Sequence, residues 1–182
     1  MNHIVKLRNI VLAAAIAFAA VLNLVSGVRC ETSARDIEAL SKASLIYIAT
    51  VRKDGNQSKA APVWFTTTPE KIVLIETRPT TWKAKRIRRG SPVIVWIGDA
   101  DGPAFIGKAQ LTTDDAVLNR IIEDYPRRYI GARVGFHKPT REKFDHGEIL
   151  AIKITPVRDM PDAFKSEPGA PVPKLDAASA AH

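Results

Sequence analysis

Hydrophobic and polar positions divide the chain into three parts: one leading apolar run, a middle of short alternating stretches, and a proline-marked end. Ile10–Leu22 is thirteen consecutive apolar residues, preceded by Lys6 and Arg8 and interrupted at Asn23. That length matches the core of a secretory signal and falls short of a bilayer span. Val25 and Gly27 are small enough to flank a cleavage after Gly27, so residues 1–27 are expected to be a signal peptide or, if retained, an N-terminal membrane anchor. The protein is then exported, periplasmic or secreted. A start codon placed too far upstream would instead make it cytoplasmic.

Beyond the leader the period changes. Ser33 and Asp36 resemble a capping box, and Ile37, Leu40 and Ala43 continue at helical spacing, which predicts a helix over Ala34–Lys42. Stretches rich in β-branched and aromatic residues then predict six strands, at Ser44–Val51, Ala60–Thr66, Ile72–Thr77, Val93–Ile97, Ala104–Thr112 and Gly147–Val157. Asp54-Gly55, Thr68–Lys71 and Asp99–Gly102 supply turns between them. Thr80–Arg89 reads as a short basic helix closed by Gly90, and Asp114–Asp124 as an amphipathic one with Val117, Leu118, Ile121 and Ile122 on one side. Hairpin signals every ten or so residues favour an antiparallel barrel over a parallel sheet, which needs a longer crossover between each pair of strands. The expected organisation is one domain over 31–160 and a disordered Pro/Ala-rich tail over 161–182.

Composition narrows the function. The chain has 182 residues, 46% apolar and 25% charged, which is ordinary for a globular protein. One cysteine, Cys30, excludes an internal disulfide framework and any multi-cysteine metal centre. His3 and His182 stand at the ends, so no histidine metal cluster is expected. The formal charge of +8 favours an anionic partner: nucleic acid, acidic lipid or a phosphorylated ligand.

The informative segment is Arg78–Arg89, with Arg78, Lys83, Lys85, Arg86, Arg88 and Arg89 and no acid. A helix starting near Thr81 puts Lys83 in its first turn, where a cation opposes the helix dipole. An anion at that end would reconcile the two, gripped by a threonine hydroxyl, backbone N–H groups and the ammonium. The plainer reading is a solvated basic face with Trp82 and Ile87 packing on the barrel. Pro62 confines its strand to an edge or an irregular position, which frees backbone groups for a flat ring that Trp64 can wall. Alternation puts Trp64 and Phe65 on opposite faces, so one of the two is core. His137 and His146 are read as solvated, and Tyr125 and Tyr129 as loop packing. No pattern of aromatics interleaved with basic residues supports nucleic-acid binding.

The order IYIATVRKDG, then APVWF, KIVLIET, TTWKAKRIRRGSPVIVWIGD and AFIGKAQLT resembles the pyridoxamine 5′-phosphate oxidase-like, FMN-binding split-barrel superfamily over about Ser44–Thr112. The resemblance implies a mainly β fold with short helices, a six-stranded antiparallel split barrel. It also implies a homodimer with the cofactor at the subunit interface. The cofactor would be FMN or, alternatively, a deazaflavin, and the partner a small-molecule substrate. By the same resemblance, Thr81 and Lys83 hold the phosphate, Trp82 between them belongs to the cofactor site, Pro62, Val63 and Trp64 lie against the ring, and Glu76 and Thr77 line the site. The implied activity is a flavin-type oxidoreductase on an unknown small molecule, the alternative being a split barrel that binds a flavin or haem-like ligand without turnover. The chain departs from the oxidases of pyridoxamine phosphate at Ala60, Phe65 and Trp82, where those enzymes carry basic residues. A membrane is a partner only if residues 1–27 are retained.

Overall fold

The computed structural model describes residues 34–162 and 164–173, with side chains from Glu38 on. The leader over 1–27 and Cys30 lie outside the described residues. The helix expected at Ala34–Lys42 is α1. The strands that follow are β1 (Ile46–Thr50), β2 (Ala61–Val63), β3 (Thr66–Thr67), β4 (Val73–Thr77), β5 (Val93–Ile97), β6 (Ala104–Thr112) and β7 (Leu150–Asp159). Helices α2 (Trp82–Arg88), α3 (Asp115–Arg128), α4 (Ile130–Arg133) and α5 (Arg141–Asp145) complete the order. Among the described residues no helix is long and apolar enough to cross a membrane.

All strands join one antiparallel sheet in the order β2-β1-β5-β6-β7-β4-β3. Seven strands replace the expected six because the return strand is cut at Trp64-Phe65. Ala61–Val63 pairs with β1 at one edge, whereas Thr66–Thr67 pairs with β4 at the other. Two residues therefore carry the chain from one edge of the sheet to the opposite edge. The edges must lie side by side, which makes the sheet a split barrel. Pro62 stands at the edge, as its missing N–H requires.

The barrel interior is filled by the inward-facing residues Ile46, Ile48, Phe65, Val73, Ile75, Val93, Val95, Phe105, Ile152 and Ile154. Phe65 is the member of the Trp64-Phe65 pair that is core. Helices α3 and α4 cover the outer face of β4 and β7 through Val117, Leu118, Ile121, Tyr125, Tyr129 and Ala132. Helix α3 runs four residues past its expected end, through Pro126, because Tyr125 and Tyr129 are anchored beneath it.

The run VIVWI of β5 has no polar face, and all five residues are buried. A strand of that kind needs cover on both sides. One side is the barrel interior. The other, carrying Ile94 and Trp96, lies under Met160, Phe164 and Val172. The expectation of a disordered tail from 161 is thus corrected over 164–172. The indole N–H of Trp96 donates to the Phe164 carbonyl at 3.0 Å, and the two rings stack with centroids 5.9 Å apart. Gln57 N–H donates to the Ala170 carbonyl, Gly169 N–H to that of Gln57, and Val172 N–H to that of Gly55. The tail is the second wall of β5.

Phe164→Ala is expected to lower the unfolding free energy by about 1–2 kcal/mol, less than for a fully buried phenylalanine, and to red-shift tryptophan emission. Urea unfolding followed by fluorescence measures both, and a truly disordered tail would give neither.

Candidate functional site

The site is built where β4 ends and α2 begins. Thr77 closes β4, and Arg78-Pro79-Thr80 turns the chain, with Thr81 N–H donating to the Arg78 carbonyl at 3.2 Å. Thr81 is the N-cap of α2: its hydroxyl accepts from Ala84 N–H at 3.2 Å and lies 3.0 Å from the Arg78 carbonyl. At the far end Gly90 adopts φ 85°, and Ser91 N–H returns to the Arg86 carbonyl. This is the glycine C-terminal stop that the sequence predicts.

A cleft of about 560 Å³ opens at this corner, within the usual range for ligand sites. Val63, Glu76, Thr77 and Lys83 line it from the barrel and α2, Arg78 and Thr80 from the turn, and His137, Lys138 and Lys143 from the segment after α4. A recess of about 350 Å³ shares Val63, Glu76 and His137 with the cleft and adds Pro62, Trp64 and Tyr125. Of the residues expected at a cofactor site, Pro62, Val63, Trp64, Glu76, Thr77 and Lys83 meet here. Two do not line either space. Thr81 is engaged as the helix cap, and Trp82 stands 68% exposed with Lys85 Nζ 5.0 Å from its ring centroid. Successive helix positions diverge by about 100°, so Trp82 and Lys83 leave α2 in different directions and only one enters the cleft. Trp82 does not pack on the barrel either.

The electrostatics of the cleft follow from burial. Burial pushes the Lys83 ammonium down to about 8, while the Glu76 carboxylate pulls it the other way. Burial also raises Glu76 above its ordinary value, and His137, Lys83, Arg78 and Lys143 pull it back. Among the described residues no carboxylate closes on Lys83 as a direct ion pair. A cation withdrawn from water and left without a contacting counter-ion is a place where an incoming anion is favoured. Among the described residues no three His, Cys, Asp or Glu side chains come together as a metal site.

The walls are held by two tyrosine hydroxyls. Tyr125 donates to the Trp64 carbonyl at 2.9 Å and accepts from Glu76 N–H at 3.3 Å, which ties the two sides of the recess together. Tyr129 donates to the Phe65 carbonyl and accepts from Phe65 N–H, both at 2.9 Å. These bonds satisfy backbone groups exactly where the strand is cut and no ladder partner exists. Burial raises the Tyr125 hydroxyl well above its ordinary value, so it stays a neutral donor. The Trp64 ring stacks on Tyr129 at 4.6 Å and 5°. A Cβ at Gly131 would come within 2.9 Å of the Trp64 ring, so the glycine lets α4 pass beneath it. Tyr125, Tyr129 and His137 were therefore under-read from sequence. The four-residue spacing of the tyrosines was visible, but the hydroxyl targets lie about sixty residues away.

The donor set fits a phosphorylated flat heterocycle such as FMN. Lys83 and Arg78 are the cations at one end, with the Thr80 hydroxyl beside them. The strand Pro62–Trp64 is a flat wall at the other.

A family model described as pyridoxamine 5′-phosphate oxidase matches residues 16–160. Among solved structures, a Listeria innocua protein provisionally assigned as a pyridoxamine 5′-phosphate oxidase superposes with a TM-score of 0.52 at 19% identity, covering 69% of this chain and 94% of that one. The conserved hypothetical protein Rv2991 from Mycobacterium tuberculosis gives 0.53 at 20% identity, over 70% and 82%. HutZ, described as the heme storage protein of Vibrio cholerae, gives 0.50 at 13%, over 67% and 87%. At these identities the likeness is one of fold. No curated protein sequence matches significantly.

Tyr125→Phe keeps the ring and removes the hydroxyl that joins Trp64 to Glu76. It is expected to cost about 1–2 kcal/mol, the penalty for two buried backbone groups losing one shared partner, measured by urea unfolding. An unchanged midpoint would mean that the hydroxyl does not hold the walls.

Proposed function

The chain belongs to the pyridoxamine 5′-phosphate oxidase family, and from that premise we propose that it is an oxidoreductase that uses FMN, or alternatively a deazaflavin, on a small organic molecule. The observation that carries the reading is the half-buried Lys83 ammonium, without a carboxylate in ion-pair distance, in a cleft that shares Val63, Glu76 and His137 with a recess lined by Pro62 and Trp64. Bound there, a flavin supplies hydride and one-electron chemistry, for which no side-chain nucleophile is required.

The residues of this chain bind and orient. Lys83 and Arg78 neutralise a phosphate, and the Thr80 hydroxyl donates to it. The edge position of β2 leaves backbone polar groups next to the ring. Trp64, fixed by Tyr129 and Gly131, gives the ring a rigid wall. Glu76, with its raised carboxyl, stands beside the recess as a group that can hold or release a proton. Pyridoxamine phosphate itself is a poor candidate substrate, because Ala60, Phe65 and Trp82 replace the basic residues expected of its oxidases. We further propose a homodimer with the cofactor at the subunit interface. Apart from the cofactor cleft, a second cleft of about 540 Å³ between the end of α2 and β6, lined by Ile87, Pro92, Ala109 and Leu111 with Arg88 and Lys108, is open to a second copy.

A second reading, a barrel that holds a flavin or haem-like ligand without turnover, draws support from the fold likeness to HutZ and from the exposed His137 at the cleft.

The purified protein titrated with FMN is expected to quench flavin fluorescence, and Lys83→Ala to weaken binding by about ten-fold or more, the loss of a charge-assisted contact. Equal affinity in the variant would remove the site assignment. A Soret band on haem addition with no flavin quenching would favour the second reading.

A further inference from the structure

A phosphate at the Lys83 corner uses two cations of the segment Arg78–Arg89, Arg78 and Lys83, and leaves four: Lys85, Arg86, Arg88 and Arg89. Three of the four share one stripe of α2 with Trp82. From Trp82, Lys85 is three positions on, Arg86 four and Arg89, the C-cap, seven, the spacing of a single helix face. The side chains gather as that spacing requires. Lys85 Nζ lies 5.0 Å from the Trp82 ring centroid and the Arg86 guanidinium 5.7 Å from it. The indole between them is still 68% exposed.

The stripe is positive and lacks a contacting acid. Among the described ion pairs none includes Lys85, Arg86 or Arg89. Arg86 Nη1 donates to the buried Thr50 hydroxyl at 3.0 Å, which fixes that guanidinium beside the indole. Burial and the charges of Arg52 and Arg89 push Arg86 below its ordinary value, while Asp54 acts the other way. Cations held together in this way favour an incoming anion, and an exposed indole among them offers its face to a flat ring.

The stripe begins where the phosphate corner ends. Trp82 directly precedes Lys83, and consecutive Cα atoms stand about 3.8 Å apart. A mononucleotide whose phosphate meets Lys83 stops there and leaves the indole and Lys85 unused. A dinucleotide continues past the first phosphate with a second one and an aromatic base. An extension carrying carboxylates alone would use the cations and not the indole.

Resting on the flavin reading above, we propose that the cofactor is a flavin dinucleotide, FAD, whose adenosine-phosphate half lies on the stripe of Trp82, Lys85, Arg86 and Arg89. Lys85 meets the second phosphate, adenine stacks on Trp82, and Arg86 and Arg89 surround them with positive charge. This half continues the path of the cofactor out of the cleft, so it needs no face free of a second copy: a partner closing the cleft encloses both halves.

Calorimetric titration of the full chain with FMN and with FAD tests the assignment. FAD is expected to bind about ten-fold or more tighter than FMN. Trp82→Ala, and separately Lys85→Gln with Arg89→Gln, should each cut that preference several-fold, whereas Lys83→Ala should weaken both nucleotides. Binding of FMN with no preference for FAD overturns the proposal and leaves the flavin reading standing. A preference that neither stripe variant moves places the adenosine elsewhere and overturns it. A preference lost with the charges but kept in Trp82→Ala points to an anionic extension without a stacked ring, and overturns it too. If neither nucleotide binds, the flavin reading falls and the proposal with it.

Discussion

The site depends on one arrangement: a lysine ammonium drawn partly out of water at the start of α2, within the field of a carboxylate that is itself partly buried. Burial acts on Lys83 and Glu76 in opposite senses, lowering one and raising the other, so each is brought closer to neutrality. For Lys83 the sign is unfavourable to folding below about pH 8. The unfolded chain holds the proton up to the ordinary value of 10.5, and the penalty lifts as pH rises from 8 toward 10.5. A cost of this kind in a cleft is the usual mark of a group kept for a ligand. An anion that meets Lys83 there stabilises its charged form and offsets the penalty.

The rest of the fold serves to hold that corner against the recess. The chain crosses from one edge of the sheet to the other at Trp64-Phe65, so Trp64 lines the recess where the backbone has no ladder partner. Tyr125 and Tyr129 take over the hydrogen bonds that a neighbouring strand would otherwise make. Because Tyr125 also reaches the backbone of Glu76, the position of Trp64 is tied to that of the strand that ends at the Lys83 corner.

Much of this was legible in the residues. The helix at Ala34–Lys42 and the strands at Val93–Ile97 and Ala104–Thr112 follow from periodicity with the observed ends, because each has clear turn residues on both sides. Asp-Gly, Thr81 and Gly90 marked turns and caps through local chemistry. The edge position of Pro62 followed from its missing donor. What the residues did not disclose depends on long-range contact. The cut at Trp64-Phe65 looks continuous by alternation and is imposed by barrel closure. The role of Phe164 is hidden in a segment whose prolines and glycine imitate a disordered tail, although VIVWI already demanded a second cover. Lys83 was singled out by a local anomaly, a cation in a helix's first turn, and it lines the cleft. His137 and the tyrosines were passed over because nothing near them in the chain points to the strand they meet. Trp82, expected at the cofactor, stands exposed on α2 and lines neither the cleft nor the recess.

The central claim is most directly measured by an NMR titration of the Lys83 side chain, labelled at the ammonium and assigned by comparison with Lys83→Arg. The account predicts a midpoint near pH 8 in the free protein and a rise when inorganic phosphate or FMN is added. An ordinary lysine midpoint that neither anion moves would contradict it.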